Sequence, residues 1–167
     1  MRDEQLVRKI QQGGSQYAEE LVRRHYGAVL RYCAWHCPGG TQAEDLAQET
    51  FLRAFQALGR YQGGGKFRAW LYTIARNLCI DAARRPVPLV PEEERTAEED
   101  GFARLEDEDA FLRRLQALPR PQQEALLLRF GHGLGFKEIG QITGVPPRTA
   151  QSRVRLGLTA LKREWRD

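Results

Sequence analysis

Apolar residues recur at steps of three and four along most of the chain, from Leu6 to about Ala83 and again from Ala110 onward. This spacing places them on one face of a 3.6-residue helix, and no sustained run of alternating β-branched residues indicates a strand. Clusters of glycine and proline mark the breaks between elements. In the first stretch we predict a short helix near 3–12 and longer ones near 15–37, 41–59 and 67–85. The second stretch divides into about four short helices.

A segment rich in proline and carboxylates separates the two helical stretches. It contains Pro86, Pro88 and Pro91, many acidic residues and few large apolar side chains. Such a segment cannot bury enough surface to offset the entropy lost on ordering. We therefore predict an all-α fold of two helical domains, residues 1–85 and 110–167, joined by an acidic flexible linker at 86–109.

The formal net charge of +4 conceals an uneven distribution along the chain. Residues 1–90 hold 13 basic and 8 acidic side chains, residues 91–110 hold 2 and 10, and residues 111–167 hold 11 and 4. Two basic blocks thus flank an acidic bridge. Basic blocks of this kind indicate nucleic acid as a partner.

The sequence shows none of the features that are typical of membrane or secreted proteins. No stretch approaches the roughly 20 apolar residues that span a bilayer, and the first residues lack the apolar core of a signal peptide. Three cysteines are an odd number and too few for a disulfide scaffold. We expect a cytoplasmic protein with no membrane insertion.

The C-terminal block has the pattern of a helix-turn-helix over residues 136–164. The small Gly140 permits close helix crossing, Gly144 suits a left-handed turn, and Val145 is expected in the core. The second helix starts at Pro147, a residue favoured in the first helical turn. Its expected buried stripe is Ala150, Val154, Gly157 and Leu161.

The opposite side of that second helix is polar and basic. It carries Arg148, Gln151, Ser152 and Arg155, which can donate hydrogen bonds to base edges in a major groove. Lys162, beyond them, could pair with phosphate. An ordinary solvated helix face is the alternative.

The predicted helix 41–59 also has two distinct sides. Its expected core stripe is Ala43, Ala47, Phe51, Ala54 and Leu58. The other side presents Leu52 among Asp45, Gln48, Glu49 and Gln56. An apolar anchor with a polar rim is typical of a protein-docking surface. The alternative is a solvated face with one stray leucine.

The loop Gly63–Gly65 and the helix after it combine basic and aromatic residues. The expected buried stripe is Phe67, Leu71, Ile74 and Leu78, with Tyr72 and Arg76 on the other side. Cations can pair with phosphates, rings can stack on bases, and glycines allow close approach, so the segment suits an unpaired nucleic-acid strand. Aromatic residues at helical spacing are also common in cores, which is the alternative for Phe67 and Trp70.

Three stretches of the chain carry a family resemblance. They are AEDLAQETFLRAF, FRAWLYTIARNLCIDAARR and, after the acidic segment, LPRPQQEALLLRF with FKEIGQITGVPPRTAQSRVRLGLTALKR. In this order and spacing they resemble the extracytoplasmic-function (ECF) class of bacterial RNA polymerase sigma factors, of the sigma-70 family. The resemblance covers nearly the whole chain.

The resemblance implies a role for each candidate surface. The first domain would be sigma region 2, whose docking residues on the clamp coiled coil of the polymerase β′ subunit would be Asp45, Gln48, Glu49 and Leu52. The residues that melt and read the minus-10 element would be Tyr61, Gly63, Gly64, Gly65, Lys66, Trp70, Tyr72, Arg76 and Asn77. The last domain would be region 4, with the minus-35 element read by Arg148, Thr149, Gln151, Ser152 and Arg155.

The resemblance also implies partners. These would be core RNA polymerase, including its β subunit, promoter DNA and an anti-sigma factor. The acidic linker would run through the polymerase toward its active-site and RNA-exit channels. No catalytic constellation stands out, so we expect neither an enzyme nor a bound cofactor or metal.

Two other functions remain open at this point. A stand-alone helix-turn-helix regulator would bind duplex DNA without polymerase and would not need the Leu52 face. A metal or redox sensor would use Cys33, His36 and Cys37, which fall on one helix face and suit zinc or copper. Three ligands on one helix fall short of a structural tetrahedral site, and buried cysteines are common in helical cores.

Overall fold

A computed structural model describes residues 1–37, 41–84 and 106–166. Within these ranges every regular element is helical, which confirms the all-α prediction. The chain divides into two compact units, Met1–Ala97 and Glu98–Asp167. None of the helices described is long and apolar enough to cross a membrane.

The helices agree with the periodicity in number and order. The first unit contains α1 (Asp3–Gln11), α2 (Ala18–His36), α3 (Thr41–Ala57) and α4 (Phe67–Arg84), with 3-10 turns at Ser15–Tyr17 and Leu58–Arg60. The second contains α5 (Glu106–Ala117), α6 (Arg120–Leu126), α7 (Phe136–Thr143) and α8 (Pro147–Arg166), with a π turn at Leu127–Gly131. The last helix is 20 residues long rather than short.

The acidic segment predicted at 86–109 falls mostly on residues 85–105, outside the described part of the chain. Helix α5 begins at Glu106, whereas the apolar periodicity placed its start at Ala110. Acidic residues are favourable in the first turn of a helix because of the helix dipole. The acidic run therefore extends into α5, where apolar spacing gives no signal.

In the first unit, α3 packs against both α2 and α4. The predicted stripe of α3 is confirmed, since all of its members are buried: Ala43, Ala47, Phe51, Ala54 and Leu58. Alanines on this stripe allow neighbouring helices to approach closely. The opposite side of α3 is thereby fixed toward solvent.

In the second unit, α8 packs against α6 and α7. Its predicted stripe is also confirmed, because Ala150, Val154, Gly157 and Leu161 are buried. A Cβ added at Gly140 would lie 2.6 Å from the carbonyl oxygen of Val145, and Gly144 has φ +75°. Both glycines are thus required by the turn, whereas Val145 is only half-buried rather than in the core.

Candidate nucleic-acid and protein interfaces

The polar side of α3 surrounds an exposed leucine. Leu52 is 53% exposed, and Asp45, Gln48 and Gln56 are exposed around it. Glu49 is ion-paired with Arg53 on the next turn, with 3.0 Å between Oε1 and Nε. Because the opposite stripe of α3 is buried, this surface is held as a rigid apolar anchor within a polar rim.

The triglycine loop has a backbone that only glycine adopts readily. Gly63, Gly64 and Gly65 have φ values of +82°, +89° and +74°. Added Cβ atoms at Gly64 and Gly65 would meet nothing within 4 Å, so this part of the loop is open. Lys66, directly after it, is exposed. The loop therefore offers bare backbone and one cation to a ligand.

Tyr61, at the start of this loop, is held by neighbours on several sides. Its hydroxyl donates a hydrogen bond to Glu4 Oε1. Its ring centroid lies 5.1 Å from that of Trp70 and 6.0 Å from that of Phe67. Burial raises the pKa of the Tyr61 hydroxyl far above its ordinary value, and the hydrogen bond to Glu4 acts in the same direction. Tyr61 is therefore a neutral donor fixed in place.

Helix α4 buries Phe67, Leu71 and Leu78 of its predicted stripe, but it is also covered on part of the side expected to be exposed. The expected exposure of the Tyr72 ring is wrong, because Tyr72 is 1% exposed and packs edge-on against Tyr32 at 5.4 Å. Burial raises its pKa. Helix α4 contacts both α2 and α3, so its buried surface is wider than a single stripe. Ile74, expected within the stripe, is only half-buried.

The remaining candidates on α4 reach the surface to different degrees. Asn77 is exposed, while Trp70 and Arg76 are half-buried. Phe67 is buried at 4% exposure, in agreement with the core alternative. Of these candidates, Asn77 and part of Trp70 therefore reach the surface of α4, and the Tyr72 ring does not.

The polar face of α8 is exposed as predicted. Arg148, Gln151 and Arg155 are exposed, and Thr149 and Ser152 are half-buried beside them. These residues lie in the N-terminal half of the helix, opposite the buried Ala150. The face therefore presents guanidinium, amide and hydroxyl donors along one helix, the chemistry that reads base edges.

Several exposed or contacting residues are not signalled by the sequence pattern. Phe130 is 65% exposed and Leu156 is 52% exposed. Glu4 and Gln11 of α1 both contact the segment around Tyr61. Local spacing cannot indicate these contacts, because the partners are separated by 47 to 57 positions along the chain.

The cysteines do not form a metal-binding group with their neighbours. No cluster of three or more His, Cys, Asp or Glu side chains suited to a metal occurs in the part of the chain that the structure describes. Cys33 and Cys79 are both buried. A hydrogen bond from Cys79 lowers the pKa of the Cys33 thiol, whereas burial and the charge of Cys37 oppose that shift. Cys33 is therefore a core residue that faces α4.

Two family models match the chain in order. Residues 21–86 match the model for sigma-70 region 2, and residues 108–161 match the model for sigma-70 region 4. The first range includes the α3 face and the triglycine loop. The second includes the helix-turn-helix.

Curated relatives match along nearly their whole length. The chain is 36% identical to RNA polymerase sigma factor CarQ of Myxococcus xanthus, with 93% of each chain covered. It is 32% identical to the RNA polymerase sigma-H factor of Pseudomonas aeruginosa, over 92% of this chain and 88% of the relative. It is 26% identical to the ECF RNA polymerase sigma factor SigW of Bacillus subtilis, over 96% and 95%.

Solved structures share the fold. One is CnrH in complex with the cytosolic domain of CnrY, with a TM-score of 0.70 and 22% identity over 98% of this chain and 96% of that one. Another is the sigma factor RpoE in complex with the anti-sigma factor NepR from Bartonella quintana, with a TM-score of 0.67 and 23% identity over 87% and 94%. The helical fold described above is therefore one that solved proteins also adopt.

Proposed function

This chain belongs to the ECF class of RNA polymerase sigma factors in the sigma-70 family, and from this we propose a role for each of its two units. The first unit would bind core polymerase and the minus-10 strand, and the second would bind the minus-35 duplex. The protein is an alternative sigma factor, a transcription initiation factor. A stand-alone helix-turn-helix regulator is not favoured, because both sigma regions occur in one chain. A metal-sensing site at Cys33, His36 and Cys37 is not favoured either.

Docking on core polymerase is assigned to the polar side of α3. Asp45, Gln48, Glu49 and Leu52 would bind the clamp coiled coil of the β′ subunit. The support is the exposure of Leu52 within a rim of exposed polar side chains. Truncation of a central apolar anchor commonly removes a large share of binding free energy.

Capture of the minus-10 strand is assigned to the triglycine loop and the adjoining edge of α4. Gly63, Gly64 and Gly65 would admit an unpaired base close to the backbone, and Lys66 would pair with phosphate. Trp70, Arg76 and Asn77 would line the strand, while Tyr61 would position the loop. Tyr72 is excluded from this role because its ring is buried.

Recognition of the minus-35 duplex is assigned to α8. Arg148, Gln151 and Arg155 would reach base edges in the major groove, with Thr149 and Ser152 beside them. The support is that these residues share the exposed face opposite a fully buried stripe. Such an arrangement lets the helix enter a groove without disturbing its own packing.

Other partners follow from membership in the class. The β subunit of polymerase would contact the second unit, and an anti-sigma factor would hold the protein inactive. Two structural neighbours were solved in complexes, one of them with an anti-sigma factor. The chain would act in the cytoplasm beside polymerase, which supplies all covalent chemistry.

The observation that carries the proposal is the exposure of Leu52, and it can be tested by binding to sigma-free core polymerase. We expect Leu52→Ala combined with Asp45→Ala to weaken core binding by at least about 2 kcal/mol, roughly thirtyfold. Gln12→Ala is the control, since Gln12 is exposed in the first unit and belongs to none of the proposed surfaces. Circular dichroism checks that helical content is kept. Equal core affinity of the double variant and the wild type would refute the docking assignment.

A further inference from the structure

Helix α1 lies outside the residues that match the region 2 model, which begin at residue 21. It is nevertheless firmly attached to the first unit. Leu6 and Val7 are each 2% exposed, and Asp3 Oδ2 lies 2.9 Å from Nε2 of the buried His25. A second oxygen of Asp3 accepts a hydrogen bond from Arg24 at 3.3 Å. Helix α1 is therefore a fixed platform against α2.

From this platform, Gln11 reaches the start of the triglycine loop. Its Nε2 donates to the carbonyl oxygen of Leu58 at 2.9 Å and to that of Tyr61 at 3.0 Å. Both amide hydrogens are thus directed at the backbone of one short segment. A side chain with a single donor could not make both bonds.

Glu4 holds the same segment from nearer the start of α1. Its Oε1 accepts the hydrogen bond from the Tyr61 hydroxyl. Its Oε2 lies 3.6 Å from the position that a Cβ would take at Gly63. Together with the bond from Gln11 to the Tyr61 carbonyl oxygen, this ties both the side chain and the backbone of Tyr61 to α1.

The loop needs such support because of its composition. Glycine loses more conformational freedom on ordering than any other residue, and here three glycines in a row adopt positive φ. A Cβ added at Gly64 or Gly65 would have no neighbouring atom within 4 Å. The contacts that define the loop shape therefore lie at its ends, at Tyr61 and at Lys66, whose carbonyl oxygen accepts a hydrogen bond from the Trp70 amide at 3.0 Å.

We propose that α1 is a clamp for the triglycine loop, in which Glu4 and Gln11 are positioning residues that hold residues 61–66 in the conformation that receives the unpaired strand. This proposal rests on the proposed minus-10 function of the loop. The clamp concerns only how well ordered the backbone of residues 61–66 is. Loop order and strand binding can therefore be measured separately.

The test uses the holoenzyme formed with core polymerase and two readouts. Hydrogen exchange read by mass spectrometry reports the order of residues 58–66, and fluorescence anisotropy reports binding of a labelled single-stranded DNA pool of randomised sequence. The variants are Gln11→Ala, Glu4→Leu and Tyr61→Phe. The controls are Gln12→Ala, an exposed residue directly after α1, and Glu4→Gln, which keeps an acceptor for the Tyr61 hydroxyl.

We expect Gln11→Ala and Glu4→Leu to speed exchange of the loop amides by at least about fivefold, the factor for one lost neutral hydrogen bond. Strand affinity should fall by a similar factor while affinity for core polymerase stays unchanged. Gln12→Ala should change neither readout, and Glu4→Gln should retain more loop order than Glu4→Leu. Tyr61→Phe, which keeps the packed ring, should reproduce the Glu4→Leu result.

Unchanged exchange in Gln11→Ala, Glu4→Leu and Tyr61→Phe would overturn the clamp. Faster exchange with unchanged strand affinity would support the clamp and contradict the assignment of the loop to the minus-10 strand. The two failures are thereby distinguished. Faster exchange in Gln12→Ala as well would also overturn the proposal, because the effect would then belong to α1 as a whole.

Discussion

Helices α8 and α4 are both proposed to face DNA, yet they are packed in different ways. In α8 the buried residues Ala150, Val154, Gly157 and Leu161 form one narrow stripe, and the side opposite is exposed. In α4 the buried residues extend over about 200° of the helix, at 100° per residue, whereas the stripe of α8 spans about 60°, although each helix contacts two neighbours. The same periodicity therefore predicts the exposed face of α8 correctly and that of α4 incorrectly.

This difference shows what limits the binding surface of each helix. A helix with a narrow buried arc keeps a broad face for a ligand, which suits insertion into a groove. A helix with a wide buried arc keeps only an edge, here at Trp70 and Asn77. On the proposed function, the first unit would take most of its strand contacts from the loop before α4, so the support of that loop would matter.

The largest effect that separates the two helices should come from Tyr72. We expect Tyr72→Ala to lower the free energy of unfolding by about 3–5 kcal/mol, the usual cost of removing a buried aromatic ring. Tyr72→Phe should cost far less because it keeps the ring against Tyr32. Denaturant unfolding of the two variants measures both. If Tyr72→Ala left the unfolding midpoint unchanged, the Tyr72 ring would not be buried. The difference in buried surface between α4 and α8 would then be contradicted.

A smaller loss should follow from closing the space between α7 and α8. Gly140→Ala places a Cβ 2.6 Å from the backbone oxygen of Val145, which cannot move without shifting the turn. We expect a loss of about 1–3 kcal/mol in stability. The matched control is Gly27→Ala, in the interior of α2, where the nearest atom to the added Cβ is 4.0 Å away.

That control should change stability in the opposite direction. Gly27→Ala should stabilise the first unit by roughly 0.5–1 kcal/mol, because alanine is the better helix former. Thermal unfolding followed by circular dichroism compares the pair. If both substitutions shifted the melting temperature in the same direction, the close approach of α7 and the turn at Gly140 would not be what the packing of α8 requires.

The smallest effect on stability should come from Arg155, on the open face of α8. We expect Arg155→Ala to change the free energy of unfolding by no more than about 0.5 kcal/mol. Binding of the holoenzyme to promoter DNA should weaken by about 1–3 kcal/mol, and the loss should depend on the minus-35 sequence. Affinities measured on a set of minus-35 variants decide the point. Equal losses of affinity on every sequence would mean that Arg155 contacts phosphate rather than base edges.

Much of the fold was predictable because most helices bury one stripe. The exposed faces of α3 and α8 lie opposite buried residues that follow the 3.6-residue period, namely Ala43, Ala47, Phe51 and Ala54 in α3 and Ala150, Val154, Gly157 and Leu161 in α8. Tyr72 was misplaced because the buried arc of α4 is wide enough to include it, and local spacing carries no information about how far neighbouring helices surround a helix. The start of α5 was misplaced because acidic first turns lack apolar residues.

The contacts of α1 could not be predicted for a different reason. Glu4 and Gln11 bind the loop through single polar side chains, and the partners lie 47 to 57 positions away. Amphipathic spacing reports which face is buried but not which polar group meets which backbone atom. Similarly, the direction of Cys33 toward Cys79 is set by the packing of α2 on α4 rather than by the spacing of the cysteines.

The most direct test of the division between the two units is run-off transcription from fragmented genomic DNA with sigma-free core polymerase. The wild-type protein should give discrete transcripts. Leu52→Ala with Asp45→Ala should abolish all of them, because polymerase is no longer engaged, whereas Arg155→Ala should weaken transcripts selectively according to their minus-35 sequence. Transcripts of unchanged number and strength with the Leu52→Ala, Asp45→Ala protein would contradict the account.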